Sequence, residues 1–348
     1  MLPFLSRVLL LGIETSCDDT ATAVVRDGVR VLANVSTNQD EFHAKYGGIV
    51  PEIASRRHAA LLSAAVDDAL SRAGVGLTEI DGIAVTSGPG LIGSLVVGVA
   101  TAKALAFATG LPLYAVNHLH GHLFAAFLER DDPPPFPFLA LLVSGGHSQL
   151  VEVRSPASLR IIGKTRDDAA GEAFDKTARL LGLPFPGGPA LDALACDGDP
   201  TAIAFPRHRP DPGTLDMSFS GLKTSVRYFL ESDAGKTARR EDVAASFQAA
   251  VVDVLIDRVR RALDVQRADG PGENAYRALV LSGGVAANSA LQSAFLALGA
   301  QRNIATYIPE RRFCTDNAAM IAAAAERRGE LSRVDPLTLV ADPNLSFG

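Results

Sequence analysis

Three histidines stand within five positions in the stretch NHLHGHLFAAF, in a chain of 348 residues that has only seven. On a helix each residue advances about 100°, so His118 and His122 fall about 40° apart on one face, one turn apart. That is the spacing at which two imidazoles can share one metal ion. His120 points about 160° away from both, a direction that suits the surface or an interface. Leu119, Leu123 and Phe127 form the core-facing stripe and leave the histidine pair to line a cleft. Residue 119 is leucine, so the glutamate of H-E-x-x-H is missing and the metallopeptidase motif is not met. A third ligand must come from elsewhere. The best candidate is Asp316 in FCTDNAAM, at the start of the last helix; its alternative role is that helix's N-cap. Two histidines and one carboxylate with open positions suit one Fe(II) ion, with Zn(II) as the alternative.

The glycine-rich turns offer different chemistry. Successive main-chain N–H groups in VSGGH (143–147) and LSGGVAAN (281–288) can form anion-binding nests. Glycine is used there because a Cβ would block a phosphate's approach. Two such loops could hold the phosphate and the base of a nucleotide; a plain tight turn is the alternative for either. GPGLIG (88–93) matches the dinucleotide fingerprint in form. That fingerprint also needs an acidic residue about 20 positions on, and no Asp or Glu occurs between Asp81 and Glu129. Close packing of helix on sheet is the better reading. DDAAGEAFDKTARLLGLPFPGG predicts an amphipathic helix with Phe174, Ala178 and Leu181 on one face and Glu172, Asp175 and Arg179 on the other. A carboxylate such as Asp175 could accept two ribose hydroxyls, or it could face solvent.

These residues need a scaffold. VLLLGIETSCDDTATAVVRDG and PFLALLVSGGHSQLVEVRS each read as strand, polar tip, strand. IDGIAVTSGPGLIGSLVVGVATAKALAFA and YRALVLSGGVAANSALQSAFLAL each read as strand, glycine loop, helix. The same order occurs twice, which predicts two similar α/β lobes with a cleft between them. ERDDPPPFPF (129–138) cannot continue a helix or a central strand and marks the boundary. The expected lobes are 1–130 joined by a C-terminal helix in 317–348, and 131–316, which carries most of the nucleotide-binding loops. Residues 184–222 read as a long glycine- and proline-rich loop of the kind that is usually functional. DNAAMIAAAAERRGE reads as a helix ending at Gly329.

Composition narrows the classes. Apolar residues are 47% and charged residues 21%, enough for real cores and unlike a disordered chain. A net charge of −6 argues against coating nucleic acid by bulk electrostatics. A local basic patch could still draw on Arg56, Arg57, Arg207, Arg209, Arg239, Arg240, Arg311 and Arg312, which otherwise are solvated faces. Cys17, Cys196 and Cys314 are too few and too scattered for a disulfide framework, which points to a reducing compartment. Arg7 interrupts the N-terminal apolar run, which reads on into a strand rather than a signal peptide. No run is expected to reach the roughly 18 apolar residues of a membrane helix. The expectation is a soluble, cytoplasmic protein with no membrane partner.

GIETSCDDT, NHLHGH, LLVSGGHSQLV, DDAAGEAFDKTARLLGLPFPGGP, FSGLKT, LSGGVAAN and FCTDNAAM, in this order from residue 12 to about residue 320, resemble the TsaD family, formerly known as O-sialoglycoprotein endopeptidases. The resemblance implies an actin/Hsp70/sugar-kinase (ASKHA) fold. It implies transfer of a threonylcarbamoyl group from threonylcarbamoyl-AMP to the N6 amine of the adenosine beside the anticodon, in tRNAs reading ANN codons. His118, His122 and Asp316 match the family's metal ligands. Leu142, Val143, Ser144, Gly145, Gly146, Asp175, Gly188, Asp192 and Asn288 match its substrate-binding positions. His120 departs from a relative that carries glutamate there; it faces away from the metal, so little effect is expected. TsaB-like and TsaE-like partner proteins and a separate threonylcarbamoyl-AMP synthase are implied as well.

The implied chemistry suits the residues. The adenine amine is a weak nucleophile and the mixed anhydride with AMP is already activated, so the protein must mainly position and polarise. A metal could act as Lewis acid, the Gly145–Gly146 nest could hold the phosphate, and Asp175 with Asp192 the ribose. No general base is assured. Glu14 and Asp18, at the first hairpin tip, are candidates, with turn-forming acids as their other reading. Three competing functions remain: an ASKHA phosphotransferase using ATP, a metallopeptidase, and a non-catalytic nucleotide-binding subunit. A kinase would prefer Mg²⁺ on oxygen ligands to a histidine pair.

Overall fold

The computed structural model describes residues 8–208, 213–268 and 275–347. Arg7 with the residues before it, and Arg209 of the basic set, lie outside the described residues. The chain divides into two compact units, Met1–Pro133 with Pro309–Gly348, and Pro134–Ile308. The first crossing falls within the proline run. Residues 309–316, expected in the second lobe, belong to the first unit, so Asp316 shares a unit with His118 and His122.

In the first unit, β1 (Leu9–Glu14), β2 (Thr20–Arg26) and β3 (Arg30–Thr37) form an antiparallel meander. Helix α1 (Pro51–Ala73) starts on proline, whose missing N–H has no partner in a first turn anyway, and stops at Gly74, where φ is 68°. β4 (Gly82–Gly88), α2 (Ile92–Thr109) and β5 (Leu113–Asn117) follow, and α3 (His118–Phe124) begins directly on β5. β4 lies parallel to β1, and β5 parallel to β4. β1 and β4 are covered on both faces, which is why they read as continuous apolar runs with no alternation.

The second unit repeats the plan. β6 (Phe138–Val143), β7 (Ser148–Ser155) and β8 (Ser158–Lys164) form the meander. Helices α4 (Ala170–Leu180), α5 (Gly187–Ala195), α6 (Ser220–Glu231) and α7 (Arg240–Ala268) come next, with a single helical turn, Asp233–Thr237, between the last two. β9 (Ala278–Ser282), α8 (Ser289–Arg302) and β10 (Ala305–Tyr307) complete it. The strand order β8-β7-β6-β9-β10 matches β3-β2-β1-β4-β5 of the first sheet. The stretch expected as one long loop, 184–222, is broken by the full length of α5 and by the start of α6. GGPALDALA carries enough helix formers behind its glycines to bury Leu191 and Ala195.

The chain then returns to the first unit with α9 (Ala318–Arg328) and the short edge strand β11 (Arg333–Val334) against β5. Two glycines admit α9. A Cβ on Gly12 of β1 would collide with the carbonyl oxygen of Ala318, and one on Gly121 of α3 would come 2.7 Å from Ile321 Cδ1. The alanine-rich inner run of α9, Ala318 to Ala325, is therefore buried throughout. The tail beyond it laces the strand ends: the Asp342 N–H donates to the Ser87 carbonyl at 2.8 Å, and Asn117 Nδ2 donates to the Ser346 carbonyl at 2.8 Å.

Contrary to the expectation, α2 is long and apolar enough to cross a membrane. Here it lays Leu95, Val99, Ala102 and Ala106 on the first sheet and leaves Ile92, Val96 and Phe107 exposed.

Candidate functional site

The first unit gathers its polar side chains where β1, β4 and β5 end. Parallel pairing sets Ile13 beside Val85, which brings the next pair, Glu14 and Thr86, together at the strand ends. Thr86 Oγ1 donates to Glu14 Oε2 at 2.6 Å. Asn117 closes β5 and caps α3, its Oδ1 accepting from the Leu119 N–H at 2.9 Å, and this fixes His118 in the first helical turn. His118 Nδ1 faces Glu14 Oε2 at 3.0 Å and Ser16 Oγ at 3.1 Å. Its other nitrogen, Nε2, lies 3.5 Å from Asp316 Oδ1, and His122 Nε2 lies 3.2 Å from the same oxygen. The two imidazoles meet edge to face with centroids 4.7 Å apart.

His118, His122 and Asp316 each offer one ligand atom, and these atoms lie within 4.8 Å of one another. Two imidazole nitrogens and a carboxylate oxygen gathered this closely are a donor set that a divalent ion takes. His122 is fully buried, yet neither ring nitrogen has a hydrogen-bond partner; leaving buried polar atoms so costs stability unless something else binds them. His118 shows the arrangement of a metal-bound imidazole, one nitrogen toward the ligand cluster and the other held by a carboxylate. The electrostatics agree. Burial disfavours a charge on His118, but the Asp316 and Glu14 carboxylates outweigh it and push its pKa up to about 9. Burial also raises Asp19, and the nearby Asp316, Asp18, Asp40 and Glu14 add to it, taking it to about 8. A place that holds an extra proton this firmly is one a cation can occupy. The residues fit a divalent ion.

Asp316 is not the N-cap of α9. Asn317 takes that role, its Oδ1 accepting from the Met320 N–H at 2.9 Å. His120 is not on the surface of the chain. It is 6% exposed, its Nε2 is 2.5 Å from the Phe347 carbonyl, and burial together with Arg328 pushes its pKa down to about 4. Its direction away from the other two histidines stands; what lies there is core and the C-terminal tail. The whole of α3 is buried, so Leu119 and Leu123 lie on one face of a helix covered on every side, and Phe127, buried too, ends the 3-10 turn that follows it.

Glu14 is fully buried, and both its oxygens are engaged: Oε1 accepts from the Ser16 N–H, and Oε2 faces Thr86 and His118. Burial raises its carboxyl, but His118 and the hydroxyl of Thr86 outweigh that and hold it below the ordinary carboxylate range. Asp18 is partly exposed at the same tip, and burial raises it. Ser16 and Thr86 were not legible as site residues. Nothing in the sequence links Thr86 to Glu14 before the strand register is known.

The second unit collects its loops at the ends of β6 and β9. Leu142 and Val143 are core residues of β6 with fully buried side chains. The turn closes with the Ser144 N–H donating to the His147 carbonyl at 2.7 Å. A Cβ on Gly171, at the start of α4, would collide with the Ser144 carbonyl, and one on Gly283 with that of Val143. These two glycines pack α4 and the second loop onto the first. Gly145, Gly146, Gly188 and Gly284 differ: each has open space where a Cβ would stand, and none has a positive φ.

Asp175 caps α5 from α4, its Oδ1 accepting from the Gly187 and Gly188 N–H groups at 3.0 and 3.1 Å. Asp192 accepts from Asn288 Nδ2 at 3.0 Å and from Ser289 Oγ at 2.8 Å. Asn288 also caps α8 through the Leu291 N–H and donates to Gln248 Oε1 at 2.7 Å. Four of the substrate-binding positions expected from the sequence thus form two bonded pairs, Asp175 with Gly188 and Asp192 with Asn288. Asn288→Ala removes the cap and strands two partners, so denaturant unfolding should show a loss of about 1–2 kcal/mol.

GPGLIG serves packing: a Cβ on Gly88 would collide with the Asp342 carbonyl, and those on Gly90 and Gly93 would press on Ser16 and Ser55. The basic candidates are split. Arg56, Arg57, Arg311 and Arg312 lie in the first unit, Arg207, Arg239 and Arg240 in the second. Arg207, Arg239 and Arg312 are paired with acids. The three cysteines form no disulfide.

A protein-family model described as TsaD, tRNA N6-adenosine threonylcarbamoyltransferase, matches residues 30–323. A protein of Moorella thermoacetica with that name is 49% identical over 338 residues, covering 97% of this chain and 96% of its own. Another, of Anaeromyxobacter dehalogenans, is 50% identical over 339 residues, covering 96% and 98%. Among solved structures, HypF of T. kodakarensis matches 92% of this chain and 47% of its own with a TM-score of 0.60 at 15% identity. Component A of the Acidaminococcus fermentans (R)-2-hydroxyglutaryl-CoA dehydratase matches 92% and 98% with a TM-score of 0.53 at 14% identity. At such identities these structures show the fold alone, which is of the ASKHA type.

Proposed function

Since the chain belongs to the TsaD family of tRNA N6-adenosine threonylcarbamoyltransferases, we propose that His118, His122 and Asp316 hold a divalent metal and that the loops at 144–147, 187–188 and 284–288 hold the nucleotide part of the acyl donor. The family activity is transfer of a threonylcarbamoyl group to N6 of a tRNA adenosine. The donor in this reading is threonylcarbamoyl-AMP and the acceptor is the adenosine beside the anticodon. The N6 lone pair attacks the carbamoyl carbon, the anhydride C–O bond breaks, AMP leaves with the electron pair, and the amine gives up a proton. The observation that carries the reading is His122, buried with no hydrogen bond to either ring nitrogen and with Nε2 3.2 Å from Asp316 Oδ1.

When bound, the ion supplies Lewis-acid polarisation of a donor oxygen. Fe(II) suits two histidines and one carboxylate, with Zn(II) second. The chain's own residues do the rest. Glu14 and Ser16 fix the His118 ring; with both oxygens engaged, Glu14 orients and does not take a proton. Asp18, partly exposed at the same tip, is the remaining candidate acceptor. The Ser144–His147 turn offers main-chain N–H groups to the donor phosphate, and open space at Gly145, Gly146 and Gly284 is the support for this. Asp175 and Asp192 retain lone pairs for ribose hydroxyls, since each carboxylate oxygen accepts more than one bond.

TsaB-like and TsaE-like partners, an upstream synthase of the donor and a cytoplasmic setting complete the reading, supported by the family resemblance and the free cysteines. The test is mass spectrometry of tRNA nucleosides after incubating the chain with those partners, donor and unmodified tRNA. Threonylcarbamoyladenosine should appear only in the complete mixture, and its absence there rejects the reading. Glu14→Gln puts an N–H where an acceptor is needed beside His118 or Ser16. Metal affinity, read by chelator competition, should fall about 10–100-fold.

A further inference from the structure

Helix α1 carries a histidine that the proposed chemistry does not use. His58 is fully buried. Its Nε2 lies 3.0 Å from the carbonyl oxygen of Cys17 and its Nδ1 lies 2.8 Å from Thr20 Oγ1. A carbonyl only accepts, so Nε2 carries the proton, and in the neutral ring Nδ1 accepts from the threonine hydroxyl. Burial lowers the pKa of His58, which agrees with the neutral form. One ring thus bridges the tip between β1 and β2, from its middle to the first residue of β2.

The other side of that tip is held by α2. Thr15 Oγ1 donates to the Ser94 carbonyl at 2.9 Å, and the Leu91 N–H donates to the Ser16 carbonyl at 2.8 Å. Ser16 sits between the two holds, one residue from the carbonyl that His58 grips. Its N–H donates to Glu14, and its hydroxyl stands 3.1 Å from His118 Nδ1.

We propose that His58 is a positioning residue for the metal centre: by fixing the main chain at Cys17 it keeps Ser16 and Glu14 where they hold the His118 ring with Nε2 turned to Asp316. This rests on the reading of His118, His122 and Asp316 as metal ligands. A histidine that merely fills the core would support the fold and leave the ligand geometry alone, and the two roles separate experimentally.

The full chain, stripped of metal, is titrated with Co²⁺ alone. The dissociation constant is read by competition with a chromophoric chelator and the ligand geometry by the visible absorption bands, with thermal unfolding of each metal-free variant alongside. His58→Leu should weaken Co²⁺ binding about 10–100-fold, as loss of an outer-shell partner does, and shift the visible bands. His58→Gln offers one donor and one acceptor and should restore binding to within about threefold. Thr20→Val keeps the shape, frees one hold and should weaken binding by roughly 3–10-fold. Wild-type affinity and bands in a folded His58→Leu overturn the proposal, as do equal losses in the Leu and Gln variants that follow thermal stability. If His58→Leu does not fold, Thr20→Val decides, and wild-type affinity in it overturns the proposal. His122→Leu is the control. If it loses Co²⁺ while the His58 and Thr20 variants do not, this proposal falls and the metal reading stands. If the unaltered chain binds no Co²⁺, both fall.

Discussion

His122→Leu should abolish metal binding and leave the metal-free protein at least as stable as the unaltered chain. The two effects have opposite origins. His122 is fully buried, no hydrogen bond reaches either ring nitrogen, and Nε2 has the Asp316 contact at 3.2 Å; an unsatisfied buried polar group such as Nδ1 costs about 1–3 kcal/mol. Leucine has similar bulk and no such need, so the metal-free variant should gain about 1 kcal/mol. With the ion at a hundredfold above its dissociation constant, the unaltered protein should gain about 2.7 kcal/mol and the variant nothing. Transferase turnover should fall on the order of 10³-fold, as when one electrostatic contact to a developing charge is removed. Calorimetry with and without metal, and elemental analysis of the purified protein, check the pair of expectations. A folded variant that keeps full metal content would dismiss the cluster as the binding site.

The second large effect contrasts two glycines of one loop system. Gly146 has open space around the missing Cβ and no positive φ, so Gly146→Ala should change stability by less than about 0.5 kcal/mol. If a phosphate approaches that main chain, the added methyl blocks it, and the KM for the donor should rise on the order of a hundredfold. Gly283 has φ of 89°, and a Cβ there would strike the Val143 carbonyl. Gly283→Ala should therefore cost upwards of about 2 kcal/mol in unfolding free energy, from strain and collision together. A Gly146→Ala enzyme with an unaltered donor KM would remove the nest from the substrate-binding account.

What the sequence made legible was local. The i, i+4 pair of His118 and His122 needs only helix geometry, and the repeated order of hairpin and strand–loop–helix is visible in the apolar pattern. Asp316 could be named as the third ligand, yet its route to the histidines depends on Gly12 and Gly121 admitting α9, contacts that no periodicity announces. His120 was expected outside because its direction was judged from one helix. The tail and α9 that cover α3 come from more than 190 positions further along the chain. The pairings of Glu14 with Thr86 and Asp192 with Asn288 likewise depend on register and packing across long separations. Asp175 was read as a free carboxylate, whereas the short helix α5, hidden in a glycine–proline stretch, gives it two N–H groups to cap.

The interrupted course of the first unit has a consequence for biogenesis. Residues 134–308 form one continuous unit, but the segment made before them lacks α9 and Asp316 until about 190 residues beyond His122 have been translated. At about 5–20 residues per second, His122 waits roughly 10–40 s for its carboxylate. During that interval the nascent first sheet has an uncovered apolar face, so a segment made before the second unit is completed only after it, and needs chaperone protection in between.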